Sequence, residues 1–159
     1  MNGFDGNIRE RVVWLPRFGL EFSMPVDNAT FNYFGYGPLE SYCDMHHAST
    51  INLYTSSADN EYVPYIYPQE HGNHTGVRML SLDKIKFTGE DLDCNVSSYS
   101  TKQLYKVIHT DDLIKTGKTF VRVDYMDSGL GSNSCGPQLA PEFRFDDKEI
   151  KFNFTMSLI

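Results

Sequence analysis

Apolar and polar residues alternate along this chain in short runs, the period of a half-buried β-strand. From Arg17 to Met24 the order R-F-G-L-E-F-S-M puts Phe18, Leu20, Phe22 and Met24 on one face, and Pro25 ends the run. Thr30 to Tyr36 alternates Phe31, Tyr33 and a buried or stacked Gly35 before the break at Gly37-Pro38. Further strands are predicted at 50–54, 76–82, 84–88, 92–96 and 119–125, each bounded by turn residues. Glu149 to Leu158 sets Ile150, Phe152, Phe154, Met156 and Leu158 against polar neighbours, which predicts a last strand with one buried face. The period changes once. Ser100 precedes Gln103 by three residues in front of Leu104, Tyr105, Val107 and Ile108, a capping-box pattern that predicts a short helix near 101–108. Asp111 and Asp112 open the turn that follows. Many short strands with one helical excursion predict an all-β fold, a β-sandwich of two sheets forming a single domain over residues 1–159.

Composition narrows the function classes. The aromatic residues, 11 Phe, 10 Tyr and 1 Trp, fall mostly within the alternating runs, where rings pack well across strands. A net charge of −7 with no local Lys/Arg cluster repels phosphate backbones and anionic headgroups, so neither nucleic acid nor a membrane is expected as a partner. The opening MNGFDGNIRERVVW has no apolar core of signal-peptide length, and no later run approaches a membrane span, which predicts a cytoplasmic protein. Cys43, Cys94 and Cys135, odd in number and widely spaced, read as free thiols.

Two segments stand out for chemistry. In the tyrosine-rich stretch from Asp59 to Arg78, Tyr62, Tyr65 and Tyr67 offer flat faces to sugar C–H groups, with Gln69, Glu70 and Asn73 placed to bond hydroxyls. The same stretch also reads as a long loop fixed by Pro64 and Pro68 and packed by its own tyrosines. His46, His47, His71 and His74 suggest a metal, but His-x-x-His gathers two imidazoles only on a helix, and Gly72-Asn73 opposes one; no metal and no cofactor are predicted. Glu40, Glu61, Glu70 and Glu142 have the residue type of glycosidase carboxylates, yet no context pairs any two of them, and no catalytic residue is assigned. The second segment, Asp127 to Pro137, carries Gly129, Gly131 and Gly136 and can fold back tightly, bringing Asn133, Ser134 and Cys135 to a rim; it reads equally as a long hairpin connection.

Taken in order, these segments resemble the C-terminal domain, of small-chain type, of the large β-galactosidases of glycoside hydrolase family 2. The resemblance is carried by Pro16-Arg-Phe-Gly-Leu-Glu-Phe22, Tyr33-Phe-Gly-Tyr-Gly-Pro38, Tyr62-Val-Pro-Tyr-Ile-Tyr-Pro-Gln-Glu70 with Gly72-Asn73 and Val77-Arg78, Ser98-Tyr-Ser100, His109, and Gly129-Leu-Gly-Ser-Asn-Ser-Cys-Gly-Pro137. It implies a sandwich of the galactose-mutarotase-like (supersandwich) type, here a partial copy, closing an enzyme that hydrolyses terminal β-D-galactosides with retention. The catalytic glutamates would lie in an upstream barrel domain or large subunit, which becomes the expected partner alongside the β-galactoside; a homo-oligomer is a further expectation. The glycine-rich loop would border the sugar site through Asn133, Ser134, Cys135 and Gly136, with Tyr65, Glu70 and Asn73 as further substrate contacts. Cys135 stands where some members carry a stacking tryptophan, Met45 where an arginine often follows Asp44, and His71 where others have asparagine. Two rival readings of the same residues are an independent carbohydrate-binding module and an aldose epimerase using His71, His74 or Glu70 for proton transfer.

Overall fold

A computed structural model of the chain describes residues 14–132 and 138–159. The alternating runs form antiparallel strands β1 (Arg17–Met24), β2 (Thr30–Gly37), β3 (Thr50–Ser57), β4 (Asn73–Leu82), β5 (Ile85–Ser97), β6 (Thr119–Asp127) and β7 (Thr155–Leu158), with one short helix, α1 (Thr101–Lys106). The strands are joined in the order β1-β6-β5-β4-β2-β3, and β7 adds to the first half of β5.

The two strands predicted at 84–88 and 92–96 are one strand, β5, interrupted by a bulge. Thr88 pairs with Met79 and Leu92 with Val77, so Gly89, Glu90 and Asp91 oppose the single residue Arg78. Three residues against one bend the strand sharply and raise its twist. The consequence appears in the core. Phe22 lies opposite Val121, which lies opposite Val96, nine residues along β5 from Phe87; yet the Phe22 and Phe87 rings are 5.7 Å apart. The sheet therefore folds over on itself, and its two leaves pack face to face as an all-β sandwich.

Between the leaves lie Phe31, Tyr33, Val77, Leu80, Leu82, Phe87, Leu92, Cys94, Val96, Val121 and Val123, with Phe22, Phe152 and Phe154 packed against them. Burial contributes roughly 1.5–3 kcal/mol for each of the larger side chains. Gly35 belongs to this seam, since a Cβ there would stand 2.8 Å from Val77 Cγ2 and 3.0 Å from its Cα.

Three expectations need correction. Strand β7 covers only 155–158, and Met156 and Leu158 are exposed; residues 150–154 supply Phe152 and Phe154 to the core without joining the ladder. The apolar face predicted for β1 is covered only at its end: a register shift falls between Phe18 and Gly19, Phe18 and Leu20 are exposed, and Phe22 and Met24 are packed inward. Helix α1 forms half of the capping box: the Ser100 hydroxyl accepts from Gln103 N–H at 3.2 Å, but the Gln103 side chain donates to the Ile114 carbonyl instead of returning to Ser100. The helix ends at Lys106, short of the predicted 108; Leu104 is buried, while Tyr105 and, beyond the helix, Ile108 face outward. Before the last strand, Pro141-Glu-Phe143 forms a turn of 3₁₀ helix, Pro141 taking the position where its missing N–H costs nothing. No helix among the described residues is long and apolar enough to cross a membrane.

Candidate functional site

Strands β5 and β6 place alternate residues on opposite faces. Leu92, Cys94, Val96, Val121 and Val123 turn to the core, which sends Asp93, Asn95, Arg122 and Asp124 to the other side. That outer face is not solvated. Asp93, Asn95, Arg122 and Asp124 are all buried, covered by the segments carrying Tyr42, Glu70 and Asp127. A buried arginine requires a carboxylate partner, and Arg122 has one: its two terminal nitrogens donate to the two oxygens of Glu70 in a bidentate pair. Burial works against the charge on Arg122 and the Glu70 carboxylate outweighs it, so the guanidinium is held more firmly protonated than usual.

The same face concentrates acids. Asp93 is paired across the ladder with Asp124, and its Oδ2 accepts from Asp127 N–H at 2.8 Å. Burial, opposed by that hydrogen bond and reinforced by the charges of Asp124 and Asp91, pushes the Asp93 carboxyl up to about 8. Asp124 is raised to about 6, chiefly by burial, with Arg17 at 3.6 Å limiting the rise. Asp127 is raised well above the usual range, again by burial first and then by Glu70, Asp124 and Asp93.

A cavity of about 1050 Å³ opens above this face. Tyr67, Pro68, Leu104, Tyr105 and Leu130 give it apolar walls, and Arg17, Tyr42, Glu70 and Asp127 also line it. The Tyr42 hydroxyl and both carboxylate oxygens of Asp127 are buried without a hydrogen-bond partner.

The glycine-rich loop leaves β6 at the edge of this cavity. Its root is fixed on four sides: Ser128 N–H donates to Pro16 O at 2.8 Å, Ser128 Oγ donates to Leu15 O, Gly129 N–H donates to Phe143 O at 2.9 Å, and Cys43 Sγ lies 3.7 Å from the carbonyls of Asp127 and Phe143. Asp44 then gathers the next turn. Its Oδ1 accepts from Leu130 N–H at 3.0 Å, and its Oδ2 from Ser132 N–H at 2.8 Å and Ser132 Oγ at 2.7 Å. Burial raises the Asp44 carboxyl, but the Ser132, Gly131 and Leu130 hydrogen bonds prevail and hold it below the ordinary value. Gly129 is required for this approach, because a Cβ there would lie 2.5 Å from the Asp44 carboxylate. The predicted contacts Asn133, Ser134, Cys135 and Gly136 lie outside the described residues.

Of the remaining predicted contacts, the structure brings Tyr67, Gln69 and Glu70 to the cavity. Tyr65 donates its hydroxyl to Glu40, whose other oxygen accepts from Gly72 N–H at 2.8 Å. Asn73 is buried and donates to Ser41 O at 3.1 Å. His71 and His74 are buried apart from the cavity. His74 stacks on Tyr33 with centroids 4.1 Å apart and meets Glu61 through Nε2 at 2.9 Å, and His71 Nδ1 faces Gln69 O. The candidate glutamates Glu40, Glu61 and Glu70 are thus each engaged, and Glu142 is exposed. Among the described residues, no three His, Cys, Asp or Glu side chains are grouped to hold a metal ion. Sequence reasoning missed Arg122, Tyr42 and Asp127; the signal for Arg122 was a charge between Val121 and Val123, and that the strand is flanked on both sides emerges only from the fold.

Comparison with known proteins gives a consistent picture. Residues 3–157 match the model of the family described as beta galactosidase small chain. The chain is 35% identical over 144 residues to a β-galactosidase of Actinobacillus pleuropneumoniae, covering 90% of this chain and 14% of that protein. It is 32% identical over 151 residues to the Staphylococcus xylosus β-galactosidase (92% and 15%) and 30% over 147 residues to that of Kluyveromyces lactis (89% and 14%). The chain thus spans 14–15% of the length of these relatives.

Proposed function

Because the chain belongs to the beta galactosidase small-chain family, we propose that it serves as the C-terminal β-sandwich of a retaining glycoside hydrolase family 2 β-galactosidase acting on terminal β-D-galactosides. Its contribution is the glycine-rich loop, whose far part, Asn133 to Gly136, borders the sugar site, while the catalytic carboxylates come from a barrel domain or large subunit. The observation that supports this reading is the root of the loop. Three hydrogen bonds to Asp44 and a glycine against its carboxylate fix a turn that an ordinary hairpin connection would leave free. Catalytic positioning tolerates little play, so a loop that borders a substrate needs such an anchor.

Retaining glycoside hydrolysis needs two carboxyl groups roughly 5–5.5 Å apart, one acid/base and one nucleophile, with the scissile bond between them. Glu40, Glu61 and Glu70 are each held by partners of their own, so on this reading the chain alone is inactive, and its place is cytoplasmic, with the barrel. Replacing the matched segment of the Actinobacillus pleuropneumoniae enzyme by this chain should give a hybrid that hydrolyses o-nitrophenyl-β-D-galactoside, whereas the 159-residue chain alone should not. A folded, assembled hybrid with no hydrolysis would overturn the loop's role; turnover by the chain alone would overturn the division of labour.

A further inference from the structure

The function proposed above assigns no role to the cavity over the outer face of β5 and β6, whose chemistry selects a ligand class. We propose that it is a second saccharide site, one that takes an uncharged, hydroxyl-rich ligand independently of any catalytic barrel.

Charge makes the first selection. The lining carries Arg17, Lys102 and Lys106 against Glu21 and Glu70, with the raised Asp127 carboxyl keeping its proton, so an anion such as phosphate meets two carboxylates and a cation meets three bases. Neither is favoured over a neutral ligand. A metal ion also lacks its donors, since the described residues hold no group of three acid, thiol or imidazole ligands.

Polarity makes the second. Buried polar groups ordinarily find partners, yet the Tyr42 hydroxyl, 1% exposed, and both oxygens of Asp127, 3% exposed, have none. Beside them the Glu70 carboxylate, 22% exposed, stays reachable while locked in its pair with Arg122. A phenol beside carboxyl oxygens suits sugar hydroxyls, each of which donates one hydrogen bond and accepts others. The walls complete the picture. Tyr67 and Tyr105 are 54% and 89% exposed, an unfavourable state for large rings that a sugar's C–H face relieves by stacking. A volume of about 1050 Å³ leaves room for more than one sugar ring.

The test is titration of the 159-residue chain with lactose, followed by saturation-transfer NMR and calorimetry. Saturable binding is expected, weakened about tenfold by Tyr67→Ala and by Tyr105→Ala. Both residues are exposed, so neither change endangers the fold. Ile66→Ala, at a residue 99% exposed on the same segment but outside the cavity, should leave binding unchanged. Failure of the unsubstituted chain to saturate up to the solubility of lactose would overturn the proposal, as would binding that neither tyrosine change weakens. Saturation by inorganic phosphate or magnesium in place of lactose would overturn the charge argument and the proposal with it. The hybrid enzyme reads the glycine-rich loop and not this cavity, so the two proposals fail independently.

Discussion

The acids on the outer face should make this protein less stable as pH rises, and Asp93 should carry much of that dependence. Asp93 is 8% exposed, lies opposite Asp124 across the β5–β6 ladder, and has Asp91 on its own strand. Its carboxyl stands at about 8 in the folded chain against an ordinary value of 3.8. Between those two pH values the folded state keeps a proton that the unfolded state has released. The stabilising contribution is therefore complete below the unfolded value and is lost as pH climbs through about 8. At about 1.4 kcal/mol per pH unit, the interval amounts to roughly 5–6 kcal/mol, comparable with the whole stability of a small domain. Asp124, raised to about 6, adds a loss of the same sign at lower pH, limited by Arg17.

The substitution Asp93→Asn isolates the effect, because asparagine keeps an oxygen to accept the Asp127 N–H while removing the titrating group. Urea unfolding at about pH 5 and about pH 9 should show the unsubstituted chain losing several kcal/mol and Asp93→Asn losing markedly less. The two should be close at the acid end, with the variant the more stable at the alkaline end. Parallel losses in the two proteins would refute the reasoning, since Asp93 would then not be the group that releases the proton.

Four further outcomes follow from the same geometry. Asp44→Ala removes three hydrogen bonds from the loop root and should cost about 1.5–3 kcal/mol, with faster amide exchange at Leu130 and Ser132; unchanged exchange there would sink the anchoring role. Gly72→Ala places a Cβ at φ +70° and 2.7 Å from Glu61 O, so thermal unfolding should move down by several degrees, and an unchanged midpoint would contradict the close approach. Glu61→Ala leaves the buried Nε2 of His74 without its partner and should cost about 1–3 kcal/mol by urea unfolding; a neutral result would mean that water replaces Glu61. Strand β3 is an open edge presenting Ile51 and Leu53, at 48% and 59% exposure, so the mass by light scattering should rise with concentration and Leu53→Lys should suppress the rise; a constant monomer mass would count against self-association.

The sequence carried strand identity well because alternation is a local property. Phe31 and Tyr33 on β2, and Val121 and Val123 on β6, point inward as their spacing requires. It carried less where a partner at a distance decides the outcome. Residues 149–158 alternate cleanly, yet only 155–158 find a neighbouring strand, because β5 presents only Ile85 to Thr88 to pair with them. Gln103 had the type and spacing to close the capping box, but the Ile114 carbonyl competes for its amide. For the site, Glu70 was legible as a polar residue in an aromatic segment, whereas Tyr42 and Asp127 come from separate stretches that only the fold brings together.

The bulge at Gly89 to Asp91 explains why the charges of β6 were unreadable. By local pattern Gly-Glu-Asp is a turn between two strands, and a turn there would leave Arg122 and Asp124 on an ordinary solvated face. The chain instead continues as one strand, with the space beside Gly89 filled by Leu92, and the sheet doubles over so that Phe22 meets Phe87. Once the apolar sides of both leaves face each other, the opposite side of β5 and β6 is left for the segments carrying Tyr42, Glu70 and Asp127 to cover. Charges that alternation assigns to water are then buried, and they must pair, as Arg122 does with Glu70, or hold protons, as Asp93 does. The fold-back that makes the core thus also produces the buried acids, the unpartnered Tyr42 hydroxyl and the cavity above them.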